Sequence, residues 1–151
     1  MTFSKYLCND LTQYFNMIST RISIRVRYGE TDQMGVVYHG NYATYCEVAR
    51  VEFFREMGLP YKELEDKGIM LPVTELNLKF HKPAYYDELL EIKTFLPEIP
   101  RGVRIHFTYE IYNEKQELLT TGVSTLAFID MQTRKPVRCP QYMKDRLNEL
   151  F

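Results

Sequence analysis

The chain has 151 residues, 45% hydrophobic and 26% charged, with 19 basic against 20 acidic side chains and a formal net charge of −1. This is an ordinary globular balance, long enough for one domain with a real core. It lacks the basic excess of a nucleic-acid-binding protein.

Three cysteines, Cys8, Cys46 and Cys139, show no CxxC spacing, which argues against a structural zinc site. An odd count with no secretory signal fits a reducing cytoplasm. No apolar run approaches the ~20 residues of a membrane span. The first sixteen residues, MTFSKYLCNDLTQYFN, hold Asp10 and a single basic residue, Lys5, and make a poor signal peptide. Met17 is an alternative start. Residues 1–19 read as an N-terminal extension, and residues 20–151 as one domain.

Ile22 to Tyr28 alternates apolar and polar residues, the pattern of a half-buried strand. Gly29 to Gly40 reads as a loop with an apolar centre at Val36-Val37-Tyr38. Asn41 is a candidate N-cap for a helix from Tyr42 to Met57, with Gly58 as its stop and Pro60 just beyond. Such a helix would be ~24 Å long. Its apolar surface is wider than one stripe, so a sheet should embrace it, and Ala49 at the centre of the face lets that sheet come close. Tyr61 to Lys67 adds a short helix ending at Gly68.

Four strand-like segments follow: Leu71 to His81, Glu88 to Leu96, Val103 to Tyr112 and Leu118 to Ile129. Gln141 to Phe151 ends the chain as a short amphipathic helix. Consecutive strands joined by short turns predict an antiparallel sheet. The whole is an α+β domain, a sheet wrapped around one long helix. Its partly apolar edges suggest oligomerisation.

Asp32 and His39 stand just upstream of that helix, with Gly35 and Gly40 between and beside them. A carboxylate can attack a carbonyl or activate water. The start of a helix offers unpaired backbone N–H groups that polarise a carbonyl. Together they outline a site for hydrolysing an acyl compound. Aspartate in a loop is also a common turn former, so Asp32 has a plain structural reading as well. Gly40 and Asn41 are the candidate oxyanion donors. Glu47 is a rival carboxylate, although its spacing from Arg50 predicts a surface or interface ion pair. His81 and His106 fall in strands and read as structural.

The residues carry a family resemblance. Arg27-Tyr28-x-x-Thr31-Asp32-x-x-Gly35-Val36-Val37-Tyr38-His39-x-Asn41-Tyr42 is followed by Glu47-x-Ala49-Arg50. Later come Phe80-His-Lys-Pro83-Ala84, Asp87-x-Leu89-x-Glu91-Ile92 and Ala127-x-Ile129-Asp130. In this order the motifs resemble the hotdog-fold thioesterases of the 4-hydroxybenzoyl-CoA thioesterase and Tol–Pal-associated acyl-CoA thioesterase branch, over roughly residues 20 to 147. The resemblance implies a hotdog fold, a dimer or a tetramer of dimers, and hydrolysis of an acyl-CoA thioester to acid and coenzyme A. It implies no metal and no organic cofactor.

By the matching motif the catalytic aspartate is Asp32, with Tyr28 and His39 in support. The resemblance leaves Asp32 open as nucleophile or general base. A different branch of the fold places a catalytic glutamate on the central helix, which is where Glu47 stands. Lys79, Lys82, Arg101, Arg104, Arg134, Lys135 and Arg138 are candidates for the phosphates of coenzyme A. Gly29-Glu30 and Gln33-Met34 depart from many relatives and leave the acyl group undefined. An acyl-carrier-protein substrate and a silent acyl-binding scaffold are the alternatives.

Overall fold

A computed structural model describes residues 17–151. The expected extension over residues 1–16, with Cys8, lies outside the described residues. The first strand, β1, runs Ile18–Arg25, so it begins ahead of the residue-20 domain boundary and ends before Tyr28. Its inward positions are Ile18, Thr20, Ile22 and Ile24. The polar Thr20 on that face masks the alternation in the sequence.

The long helix α1 spans Asn41–Glu56 and buries Tyr42, Tyr45, Cys46, Ala49, Arg50, Phe53 and Phe54. It ends as expected at Gly58, whose φ of +73° suits a residue without a side chain. There Leu59 N–H donates to Phe54 O at 2.8 Å and Gly58 N–H to Arg55 O at 3.1 Å, the paired closure of a Schellman motif. A short helix, α2 (Tyr61–Asp66), follows and leads to the two-residue strand β2 (Ile69–Met70).

Strands β3 (Val73–Phe80), β4 (Leu89–Leu96), β5 (Arg104–Tyr112) and β6 (Leu118–Ala127) come next. With β1 they form one antiparallel sheet in the order β1-β4-β5-β6-β3. The last expected strand stops at Ala127. The chain breaks at Phe128, and Ile129–Asp130 (β7) pairs with β2 instead. Helix α3 (Gln141–Asn148) adds Met143 and Leu147 to the core.

The sheet wraps α1 as the sequence predicts. Two apolar clusters divide its length. Tyr42, Tyr45 and Ala49 pack with Leu90, Ile92, Ile111 and Leu119 near the helix N-terminus. Phe53, Phe54 and Met57 pack with Phe107, Leu126 and Phe128 towards its other end. Strand β3 is an edge and is mostly exposed. Its inner face keeps Leu76 and Phe80 at 37% and 48% exposure.

Candidate active site

The site begins where β1 releases the chain. Tyr28–Glu30 forms a single 3-10 turn. Residues 31 to 37 then fold back as a tight hairpin, with Thr31 bridging Val37 and Asp32 N–H donating to Val36 O at 2.9 Å. Gly35 closes the turn by donating to Asp32 O at 2.9 Å, and its φ of +78° requires glycine there. Val37 N–H donates to Ala84 O at 2.9 Å, and Val36 bridges Tyr85. The hairpin is therefore held between the start of α1 and the chain that enters β4.

Asp32 sits half-buried in this turn. Its Oδ1 accepts the Met34 backbone N–H at 2.8 Å. Its Oδ2 has no partner among the described residues. The turn-forming aspartate and the available carboxylate oxygen are thus the same residue.

The helix start differs from expectation. Asn41 is the first helical residue, and the N-cap is Gly40 at φ −62°, ψ −25°. Asn41 N–H donates to Tyr38 O at 2.9 Å and Tyr42 N–H to His39 O at 3.3 Å. The Asn41 side chain donates to Glu30 O at 2.7 Å. The tight turn Tyr38–Asn41 therefore occupies the Asn41 N–H expected as an oxyanion donor. Neither the His39 nor the Gly40 backbone N–H has an acceptor among the described residues. Gly40 also leaves room for a ring, since a Cβ there would lie 2.7 Å from Tyr38 Cε1.

The side chain of His39 is exposed and rests on Tyr38, with ring centroids 4.3 Å apart. Among the described residues it makes no hydrogen bond to Asp32. Tyr28 is 79% exposed and packs edge-to-face on Tyr86 at 5.6 Å. Its contribution to the turn is its backbone carbonyl, which accepts Thr31 Oγ1 at 2.9 Å.

Glu47 is exposed on α1, and the expected ion pair with Arg50 does not form. Arg50 lies on the buried face of the helix and is only 6% exposed. Its Nε donates to Tyr61 OH at 3.3 Å and its Nη1 to Tyr109 OH at 3.1 Å. Tyr109 OH is in turn 2.8 Å from Ser124 Oγ. Of the two histidines expected in strands, His106 lies in β5 and His81 follows directly after β3. His81 Nε2 lies 3.0 Å from Thr121 Oγ1, and His106 Nδ1 lies 3.0 Å from Thr125 Oγ1. Among the described residues no three His, Cys, Asp or Glu side chains converge as metal ligands. No helix among them is long and apolar enough to cross a membrane.

Glu30 has a place that the sequence did not reveal. Its Oε2 accepts Tyr45 OH at 2.7 Å and Arg27 N–H at 2.9 Å. Burial, and then the Glu30 carboxylate, push the Tyr45 hydroxyl pKa well above the ordinary tyrosine value. The only hint in the sequence is a carboxylate two residues before Asp32.

Residues 26–147 match the thioesterase-like superfamily. The acyl-CoA thioesterase YbgC of Helicobacter pylori is 34% identical over 135 residues, covering 83% of this chain and 98% of that one. The acyl-CoA thioester hydrolase YbgC of Escherichia coli O157:H7 is 31% identical over 121 residues, covering 80% and 90%. Among solved structures, a DHNA-CoA thioesterase from Staphylococcus aureus superposes with a TM-score of 0.81 at 41% identity, covering 87% and 90%. The chain therefore belongs to the thioesterase-like superfamily, as a hotdog-fold thioester hydrolase.

Proposed function

We propose that this protein hydrolyses an acyl-CoA thioester to the free acid and coenzyme A, with Asp32 as the reacting carboxylate. One observation carries the reading. A hairpin holds a carboxylate with one oxygen fixed by Met34 N–H and the other without a partner among the described residues, and the same hairpin leads into the N–H groups of His39 and Gly40, which have no acceptor among them either. The YbgC relatives act on acyl-CoA by name, and the staphylococcal relative acts on DHNA-CoA.

In one route Asp32 attacks the thioester carbon. The C–S bond breaks, coenzyme A leaves as thiolate and takes a proton from solvent, and water cleaves the mixed anhydride to restore the carboxylate. In the other route Asp32 takes a proton from the water that attacks, and as the C–S bond breaks that proton passes to the departing thiolate. In both, negative charge on the carbonyl oxygen falls to the His39 and Gly40 N–H groups. The reaction as written takes water and substrate and calls on no metal or organic cofactor.

A second copy of the chain completes the proposal. Leu76 and Phe80 on the edge strand β3, and Val48 on α1 at 40% exposure, are exposed apolar residues that a homodimer, or a tetramer of dimers, would cover. The buried, unpaired Cys46 and Cys139 suit the cytoplasm as the compartment.

The test is a panel of aliphatic and aromatic acyl-CoA substrates and an acyl-carrier protein, read by thiol release. Asp32→Asn keeps an oxygen for Met34 N–H, so it should stay folded while kcat falls roughly 10²–10⁴-fold, the range of a lost acid–base group. No release from any substrate rejects the enzyme in favour of a silent scaffold. Release only from the carrier protein changes the carrier. Retained activity in Asp32→Asn with loss in Glu47→Gln moves the chemistry to the helix.

A further inference from the structure

We propose that Glu30 is the positioning residue of this site, holding the Asp32 hairpin against the start of α1. The inference rests on the thioesterase reading above and names how that site is set. Glu30 stands in a 3-10 turn at the surface of the chain, yet its side chain is only 14% exposed. A carboxylate so placed costs stability unless its oxygens are hydrogen-bonded.

Both oxygens are engaged. Oε2 accepts the hydroxyl of Tyr45 at 2.7 Å and the backbone N–H of Arg27 at 2.9 Å. Oε1 faces the Arg27 guanidinium, 3.3 Å from Nη1. The backbone carbonyl of the same residue accepts Tyr38 N–H at 2.9 Å and Asn41 Nδ2 at 2.7 Å.

These contacts join three parts of the fold. Arg27 lies two residues beyond β1, at the N-cap of the 3-10 turn. Tyr38 directly follows the returning side of the hairpin. Asn41 and Tyr45 lie four apart on one face of α1, and Tyr45 is 1% exposed and fixed in the core. Asp32 is two residues beyond Glu30, and His39 directly follows Tyr38. The relative position of the carboxylate and the His39 N–H is thereby set through one residue, its carbonyl bonded to Tyr38 and Asn41 and its side chain anchoring it to Tyr45. Both Glu30 oxygens are already occupied, so Glu30 does not itself act on substrate. It acts through the placement of Asp32. A displacement of about 1 Å at a reacting group costs on the order of 10²-fold in rate.

Glu30→Ala and Tyr45→Phe test the contact. Alanine removes the carboxylate, so Tyr45 OH and Arg27 N–H both lose the oxygen they share. Tyr45→Phe removes one hydroxyl and leaves the core ring. Each is expected to lower kcat by about tenfold to a hundredfold with KM within about twofold, in protein that remains folded by circular dichroism. The double variant should fall no further than the worse single one, because both break the same bond. Glu63→Gln, which loses only the exposed pair with Lys67, is the control and keeps wild-type kcat.

If Glu30→Ala fails to fold, Tyr45→Phe decides on the same criterion. A kcat within twofold of wild type in either folded variant, or losses that multiply in the double variant, overturns the inference while leaving the thioesterase reading standing. A wild-type protein that releases no thiol overturns that reading, and this role with it.

Discussion

Replacing His39 by alanine and by proline separates the two things this residue offers, an imidazole and a backbone N–H. The turn Tyr38–Asn41 is closed by Asn41 N–H to Tyr38 O at 2.9 Å. Gly40, its third residue, has φ −62° and ψ −25°, which makes the turn type I rather than type II. His39 is its second residue, the position that proline favours. The His39 N–H donates to nothing among the described residues, so proline removes no hydrogen bond from the fold. Proline also asks for an extended residue before it, and Tyr38 is the hairpin strand residue bonded to Glu30 O at 2.9 Å. Both variants lose the same ring contact with Tyr38. They differ chiefly in the N–H.

Removing one oxyanion donor costs roughly 10²–10³-fold in kcat, about 2.7–4 kcal/mol. His39→Pro should therefore fall that far below His39→Ala. His39→Ala should itself lose far less than the roughly 10²–10⁴-fold of a missing acid–base group, because the ring makes no bond to Asp32. Steady-state thiol release from one acyl-CoA at fixed pH gives both values, and melting temperatures check that the two proteins are folded alike. Equal kcat in the two variants would show that the His39 N–H carries no developing charge. A hundredfold loss in His39→Ala would return the imidazole to the chemistry.

Two further predictions concern the core. Ala49 is fully buried between α1 and the sheet, so Ala49→Leu overfills that contact and should cost about 1–3 kcal/mol; thermal unfolding reads this as a drop of several degrees, and an unchanged midpoint contradicts it. Burial pushes the thiols of Cys46 and Cys139 up to about 12. In a Cys8→Ser protein neither should react promptly with a disulfide reagent at pH 8, and both should react once unfolded. Because their folded pKa values lie above the ordinary 9.0, the stability they contribute is complete below pH 9 and is lost as pH rises towards about 12. Prompt labelling of the native protein at pH 8 refutes the placement.

The fold was largely legible because its strongest signals are local. Gly58 after an apolar helical run stops α1 where the Schellman closure now stands. Strict alternation from Arg104 to Tyr112 gives β5 almost residue for residue. The errors occur where a neighbour overrides the pattern. Thr20 faces inward at 7% exposure and hides the start of β1. Phe128 N–H turns to Val103 O at 2.9 Å, which ends β6 and sends Ile129–Asp130 to β2. No reading of polarity along one segment contains those partners.

The candidate site divides in the same way. A carboxylate followed by glycines and a helix start is visible in the residues, because turn chemistry and helix ends are sequence-local. Which N–H groups remain unpaired is not local. It depends on the chain reversing at Tyr38–Asn41, which occupies Asn41 and leaves His39 and Gly40. Arg50 makes the point from the other side. Its spacing to Glu47 fits an ion pair, but it lies beside Ala49 on the buried face, where tyrosine hydroxyls satisfy it. Asp32 resolves most simply. Turn former and reacting group looked like rival roles for one aspartate, yet a carboxylate has two oxygens. Met34 N–H fixes one, and the same bond orients the other, so the turn role is compatible with the proposed chemical one.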